Sequence, residues 1–263
     1  MSSMDDAVAV VRESLRPRLA QTLLALDFDG VLAPIVERPQ DARALPGTAE
    51  LLTQISPRVA QVAIVTGRPA SDAVQLGGLA DVPGLVVCGH YGLERWMGGR
   101  LETPSSDSAV DEARVRVAEL VAQRPGTAIE DKGHSVAVHT RRAPDPAASL
   151  EDLRPLVSAI AEDTGLQVTP GRFVLELRPR GADKGVAVRQ LAAEAGAAAV
   201  VYGGDDLGDL PAIEAVRALE ADGMLGVIIC SDGTEVATEL REAADLVVPG
   251  PEGVQRALRS LLL

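Results

Sequence analysis

Short apolar runs, each closed by polar residues, alternate with helical stripes up to about Glu102. The run from Leu23 carries into Asp27-Phe28-Asp29-Gly30-Val31 and predicts a buried parallel strand that ends on two carboxylates. A second run, Val59 to Val65, ends in Thr66-Gly67-Arg68-Pro69, and a third, Leu85 to Cys88, ends in Gly89-His90-Tyr91-Gly92. Helices are predicted over residues 7–20, after Pro46-Gly47 with Thr48 as the cap and Leu51, Leu52 and Ile55 as the apolar stripe, and from Pro69 through Ser71 and Asp72. A proline-rich loop runs from Pro34 to Pro46. This order predicts a doubly wound, parallel-sheet (Rossmann-like) α/β core, in which the carboxyl ends of the strands face the ligand crevice.

The rhythm then changes. A Ser-Pro-Asp linker, Thr103 to Ser108, leads to a helix near Val110 to Gln123, strands Thr127 to Asp131 and Ser135 to Thr140, and a helix Pro146 to Thr164. A hairpin follows, Leu166 to Thr169 and Phe173 to Leu177, turning at Pro170-Gly171-Arg172. An αββαββ unit makes a small sheet with helices on one face. From Gly181 the first rhythm resumes with a helix Asp183 to Ala195, a strand Ala198 to Tyr202, a helix Leu210 to Leu219, and strands near Val227 and Leu246. Residues 1–103 and 181–263 therefore read as one core domain, interrupted by a smaller α/β domain at 104–180. Thr103 to Ser108 and Pro179 to Gly181 are the expected hinges.

Composition narrows the class. Aromatic residues make up 2% of a chain that is 46% apolar, so the core must be aliphatic, as in buried parallel sheets flanked by helices. A net charge of −13 argues against nucleic-acid and anionic-membrane partners. No run nears the ~18 apolar residues of a membrane span, and Asp5 and Asp6 sit where a signal peptide would be basic. Cys88 and Cys230 each end an apolar run and read as reduced core residues, which predicts a cytoplasmic protein. Basic residues are almost all arginine. The two lysines, Lys132 and Lys184, both lie in Asp-Lys-Gly triplets, where a compact ammonium is wanted instead of a planar fork.

Four core segments converge at the strand ends: Asp27 and Asp29, Thr66-Gly67, Lys184, and Gly203-Gly204-Asp205-Asp206 with Asp209 beyond. Strand alternation is expected to point Asp27 and Asp29 the same way. So many carboxylates repel unless a cation joins them, and ligation by oxygen alone favours Mg²⁺. The alternative of an EF-hand loop at Asp205 to Asp209 lacks the alternating donors and distal Glu. With Lys184, the Thr66 hydroxyl and the Gly67 amide as partners for phosphoryl oxygens, the set fits phosphoryl transfer: Asp27 as nucleophile through an aspartyl phosphate, Asp29 as general acid and base.

Asp27-Phe28-Asp29-Gly30-Val31, Val65-Thr66-Gly67-Arg68, Lys184-Gly185 and Gly204-Asp205-Asp206 resemble, in order, the four motifs of haloacid-dehalogenase-like phosphatases. The insertion between the second and third motifs resembles the cap of the subgroup with α/β caps. More narrowly, the chain resembles the trehalose-6-phosphate phosphatases in Leu32-Ala33-Pro34-Ile35, Gly89-His90-Tyr91-Gly92-Leu93-Glu94, Glu130-Asp131-Lys132, His139-Thr140-Arg141, Glu176-Leu177-Arg178-Pro179 and Gly203 to Asp209. It departs from them at Gly208, where that family usually has Thr, and at Leu210-Pro211, which replace later acids. The resemblance implies a Mg²⁺-dependent hydrolase of trehalose 6-phosphate. Its catalytic residues would be Asp27, Asp29, Thr66 and Lys184, and its metal ligands Asp27, Asp29, Asp205 and Asp206. Gly67, Arg68 and His90 join the substrate-binding set, and a functional link to the synthase that makes the substrate is expected.

A disaccharide is read through hydroxyls, which calls for paired anionic and cationic side chains. Strand alternation offers Glu130 with Lys132, Glu176 with Arg178 and His139 with Arg141; the alternative is a solvated sheet face. His90 and Glu94 are expected to complete the pocket, and Trp96 reads equally as hinge packing or a sugar platform. Other capped phosphatases, acting on sucrose phosphate or mannosyl phosphoglycerate, and a non-catalytic sugar-phosphate sensor remain alternatives.

Overall fold

The computed structural model describes residues 4–104, 108–171, 173–233 and 238–263. The chain divides into two compact units, Met1–Thr103 with Asp183–Leu263, and Pro104–Ala182.

The larger unit is built on β1 (Thr22–Leu26), β2 (Gln61–Val65), β3 (Val86–Gly89), β4 (Glu94–Met97) and β5 (Arg100–Glu102), followed after the smaller unit by β10 (Ala199–Gly204), β11 (Leu225–Asp232) and β12 (Leu246–Pro249). The sheet order is β12-β11-β10-β1-β2-β3-β4-β5, parallel from β12 to β3 and antiparallel beyond. Alternation along β1 separates two cores. Leu24 and Leu26 pack with Ile64, Val87, Val201 and Ile229 under α1 (Met4–Leu15), α2 (Thr48–Ile55), α3 (Ala70–Gly77) and α9 (Gly250–Leu262). Leu23 and Ala25 pack with Val65, Val200, Tyr202 and Ile228 under α6 (Lys184–Glu194), α7 (Leu210–Ala221) and α8 (Thr238–Ala243). Helices thus cover both faces, and the strand order reverses at β1, where β2 lies on one side and β10 on the other.

The smaller unit runs α4 (Ser108–Ala122), β6 (Ala128–Asp131), β7 (Val136–His139), α5 (Pro146–Thr164), β8 (Gln167–Gly171) and β9 (Val174–Arg178), with an antiparallel sheet ordered β6-β7-β9-β8. Val136, Val138, Leu175 and Leu177 bury one sheet face against α4 and α5, which leaves Glu130, His139, Glu176 and Arg178 on the opposite face.

Several expectations change in detail. The first helix breaks after Leu15 into a 3₁₀ segment at Arg16–Gln21, because Pro17 cannot continue an α-helix. Thr48 is the first residue of α2 and Gly47, at φ +83°, is its cap, so the side-chain cap expected of Thr48 is absent; its hydroxyl instead accepts from Gln255 at 2.8 Å. The hairpin β4–β5 turns on Gly98-Gly99, both left-handed, and α8 and α9 follow where no helix was expected. Arg141 lies beyond the end of β7, so it does not alternate with His139 on a strand. Trp96 is buried in the sheet core of the larger unit, which removes the sugar-platform reading. Residues 105–107 of the expected hinge and Arg172 of the expected turn lie outside the described residues.

Candidate functional site

The site starts where β1 stops. Strand pairing ends at Leu26, and the Asp27 amide donates to the Gly203 carbonyl at 2.9 Å, which seats Asp27 at the carboxyl end of β10. Its Oδ1 accepts the Phe28 amide at 2.7 Å and its Oδ2 pairs with Lys184 Nζ at 2.8 Å. Lys184 opens α6, just inside the Asp183 cap that accepts from the Val186 amide at 2.7 Å. An ammonium that is 3% exposed at a helix N-terminus is doubly disfavoured, by burial and by the helix dipole. Burial pulls the Lys184 pKa down, but Asp209 and Asp27 more than offset it and hold the group well above 10.5. Asp27, itself 5% exposed, is pushed up to about 8, by burial above all, against the pull of Lys184 and with the push of Asp209.

Asp209 is fully buried and spends every acceptor position. Oδ1 takes Lys184 Nζ at 2.7 Å and the Tyr202 hydroxyl at 2.5 Å; Oδ2 takes the Asp205 and Asp206 amides at 2.8 and 3.1 Å. The Tyr202 hydroxyl, raised well above 10 by burial and by Asp209, remains a donor. Gly204 makes room for this carboxylate, since a Cβ there would fall 2.6 Å from Asp209 Cγ. Asp205 lies over Gly30 (φ +69°), where a Cβ would fall 2.0 Å from its Oδ2. Burial first, then Asp27 and Asp209, pushes Asp205 up to about 9.

Asp27, Asp205 and Asp209 bring carboxylate oxygens within 4.8 Å of one another. Because Asp209 is committed to four donors, Asp27 and Asp205 are the side chains left to hold a cation. Asp206 and Asp29, both expected as ligands, lie outside this group. Asp206 is exposed and closes a capping box with Asp209, its Oδ1 accepting the Gly208 amide at 2.8 Å. Asp29 lies beyond the end of β1, and its two oxygens accept from Arg68 at 2.6 and 2.7 Å. Each carboxylate of the first motif thus has its own cation. The donors of the pair Asp27 and Asp205 are hard oxygens, without His or Cys, and the one ammonium beside them, Lys184, is divided between Asp27 and Asp209, which fits a hard divalent cation such as Mg²⁺.

At the end of β2, Thr66 is buried; its Oγ1 accepts the Arg68 amide at 3.2 Å, which orients the hydroxyl and leaves its hydrogen to donate. A Cβ at Gly67 would fall 2.8 Å from Cζ and the hydroxyl oxygen of Tyr91. His90 and Tyr91 are both left-handed (φ 47° and 60°), and their amides bind the carbonyls of Arg68 and Thr66 at 2.9 Å. His90 is buried and supports the Thr66–Arg68 loop through its backbone, a role its sequence position did not reveal. Glu94, expected in the substrate pocket, accepts the Ala70 amide at 2.7 Å and so caps α3 from a neighbouring strand, with His90 Nε2 3.8 Å away.

On the polar face of the smaller unit the ion pairs cross strands. Lys132 Nζ meets Glu176 Oε2 at 3.0 Å, Ser135 Oγ donates to Glu176 Oε1 at 2.6 Å, and His139 Nε2 lies 2.8 Å from Glu130 Oε2. Glu176 and Arg178 are buried, Lys132 and His139 half-buried, and Glu130 and Arg141 exposed.

The trehalose-phosphatase family model matches residues 25–245, from β1 to beyond β11. The chain belongs to the trehalose-phosphatase family. A trehalose-phosphate phosphatase of Mycobacterium avium is 31% identical over 241 residues, covering 88% of this chain and 60% of its own length. An uncharacterized glycosyl hydrolase of Mycobacterium tuberculosis is 34% identical over 231 residues, covering 82% of this chain and 17% of its own. This member of the trehalose-phosphatase family therefore spans less than two thirds of either relative. In fold it is similar to the trehalose-6-phosphate phosphatase C-terminal domain of C. albicans, with a TM-score of 0.80, 20% identity and coverage of 97% and 96%. It is also similar to a haloacid dehalogenase-like hydrolase of Bacteroides thetaiotaomicron, with a TM-score of 0.65, 16% identity and coverage of 90% and 98%. Among the described residues no helix is long and apolar enough to cross a membrane.

Proposed function

We propose that this protein is a Mg²⁺-dependent phosphatase that converts trehalose 6-phosphate and water to trehalose and phosphate. The observation that carries the reading is the buried Asp27 at the end of β1, clasped by Lys184 and flanked by Asp205, in a chain of the trehalose-phosphatase family. A carboxylate of Asp27 attacks phosphorus while the bond to the sugar oxygen breaks, and Asp29 gives that oxygen its proton. Water then attacks the phosphorus of the aspartyl phosphate, Asp29 takes its proton, the new phosphorus–oxygen bond to Asp27 breaks, and phosphate leaves. The Lys184 ammonium, the Thr66 hydroxyl and the Gly67 amide neutralise the phosphoryl oxygens, and Asp209 keeps Lys184 in place. Asp27 and Asp205 would hold the Mg²⁺, which supplies positive charge against the transferring phosphoryl group.

The smaller unit is read as the cap, and the cross-strand pairs of Lys132 with Glu176 and of His139 with Glu130, with Arg178 beside them, support it as the sugar-reading surface. Cytoplasmic location is supported by two buried free cysteines, and the substrate chemistry makes a trehalose-6-phosphate synthase the functional neighbour.

Phosphate release from trehalose 6-phosphate, sucrose phosphate and mannosyl phosphoglycerate tests the assignment. Trehalose 6-phosphate is expected to have the highest kcat/KM; equal or faster turnover of the others removes the substrate, and full activity of Asp27→Asn removes the nucleophile.

A further inference from the structure

The charge of Arg68 is spent on a protein carboxylate. Nε donates to Asp29 Oδ2 at 2.6 Å and Nη2 to Oδ1 at 2.7 Å, so the two planes meet fork to fork. Nη1 donates to the Pro39 carbonyl at 2.8 Å, and the guanidinium lies 5.5 Å from the centre of the Phe28 ring. The side chains of Arg68 and Asp29 are 13% and 31% exposed. At the backbone, the Arg68 amide is bound to Thr66 Oγ1 and its carbonyl to the His90 amide. Arg68 therefore ties the phosphate loop, the first motif and the proline-rich loop together, with a donor committed in each direction.

Asp29 needs such a clamp. It lies beyond the last paired residue of β1, ahead of the left-handed Gly30, so the sheet ladder does not fix its direction. A proton donor works only within hydrogen-bond reach of the oxygen it serves. We propose that Arg68 is a positioning residue: it sets the orientation in which Asp29 protonates the departing sugar oxygen, and it does not bind the phosphoryl group. A lysine would preserve the charge but lose the planar fork that fixes the carboxylate plane. This rests on the two-step mechanism above and adds to it the part that aims the acid.

The test is the dependence on the leaving group. A sugar alkoxide must be protonated as it departs, whereas 4-nitrophenolate leaves without help. Wild type, Arg68→Lys and Arg68→Ala are compared on trehalose 6-phosphate and on 4-nitrophenyl phosphate, with circular dichroism as the check on folding. On the sugar phosphate, kcat/KM, which reports the steps up to departure of the sugar and not the later attack of water that Asp29 also assists, is expected to fall about 10²-fold in both variants, the size of a general-acid contribution. KM is expected to stay within about threefold, and the loss on the nitrophenyl ester to be at least about tenfold smaller. Equal losses of kcat/KM on both esters, weaker inhibition by inorganic phosphate, or full activity of Arg68→Lys would overturn the proposal; Arg68→Lys, which keeps the charge, decides the matter if Arg68→Ala does not fold. A wild type that is inactive on trehalose 6-phosphate but active on another sugar phosphate removes the substrate assignment alone, and the same comparison is then made on that ester.

Discussion

Gly30→Ala puts the geometry of the cation site to a quantitative test. The residue has φ +69°, so an alanine costs about 1–2 kcal/mol in backbone strain alone. Its Cβ would also fall 2.0 Å from Oδ2 and 2.2 Å from Cγ of Asp205, against a closest tolerable contact of 3.0 Å. The backbone is poorly placed to yield, because the Gly30 carbonyl accepts the buried Ser231 hydroxyl at 2.5 Å. The carboxylate must therefore retreat by roughly 1 Å, a misplacement that can cost about 10²-fold at a reacting centre. Gly84→Ala is the matched control: its φ is +64° and a Cβ there meets nothing within 4 Å. Thermal melts without metal should show a similar loss of a few degrees from strain in both variants. Melts across a Mg²⁺ titration, together with the Mg²⁺ dependence of phosphate release, should show a metal affinity about 10²-fold weaker in Gly30→Ala and unchanged in Gly84→Ala. A Gly30→Ala protein with the wild-type Mg²⁺ response would refute the placement of Asp205 as a ligand.

Asp209→Asn removes the charge that balances the buried Lys184 and sets an amide against existing donors; a loss of about 3–5 kcal/mol in urea unfolding is expected, and a loss below about 1 kcal/mol would show that the carboxylate is not the anchor. Tyr202→Phe removes one of its four donors and should cost about 0.5–1.5 kcal/mol, read in the same assay, with a larger loss arguing that the ring itself carries the packing. In the metal-free protein, Asp27 and Asp205 keep protons up to about 8 and about 9, whereas the unfolded chain releases them near 3.8. The folded state binds more protons, so this contribution to stability is complete at low pH and is lost as pH rises through 8 and 9. Melts in chelator should fall along this range, Mg²⁺ should restore them most at the alkaline end, and Asp205→Asn should flatten the slope; an unchanged slope in that variant would contradict the coupling.

The strand ends that carry Asp27, Thr66 and Asp205 could be read from the chain, because a fully buried strand advertises its end by the first polar residue and sheet geometry then fixes where that residue lies. Lys184 was found by its scarcity and its helix start. What stayed hidden depends on partners distant in sequence. Nothing local marks Glu94 as the cap of α3, since the helix it serves begins at Ala70. Asp209 reads as one acid among several until the turn of residues 205–209 closes on Tyr202 and Lys184 and uses up its oxygens. Asp27 and Asp29 were expected to share a direction by strand periodicity, but the ladder ends at Leu26, before either of them, so that rule does not set the direction of Asp29. The β4–β5 hairpin and α9 did leave signals, in Gly98-Gly99 and in the stripe of Val254, Ala257, Leu258 and Leu261.

Every residue of β1 is buried, with odd and even positions committed to opposite layers of the molecule. The strand therefore acts as a ruler for the placement of Asp27. Deleting one residue within it would shift every position on one side of the gap by one, sending those aliphatic side chains into the other layer or carrying the carboxylate of Asp27 away from the ammonium, so the length and the phase of this short segment are under the same constraint as the carboxylate at its tip.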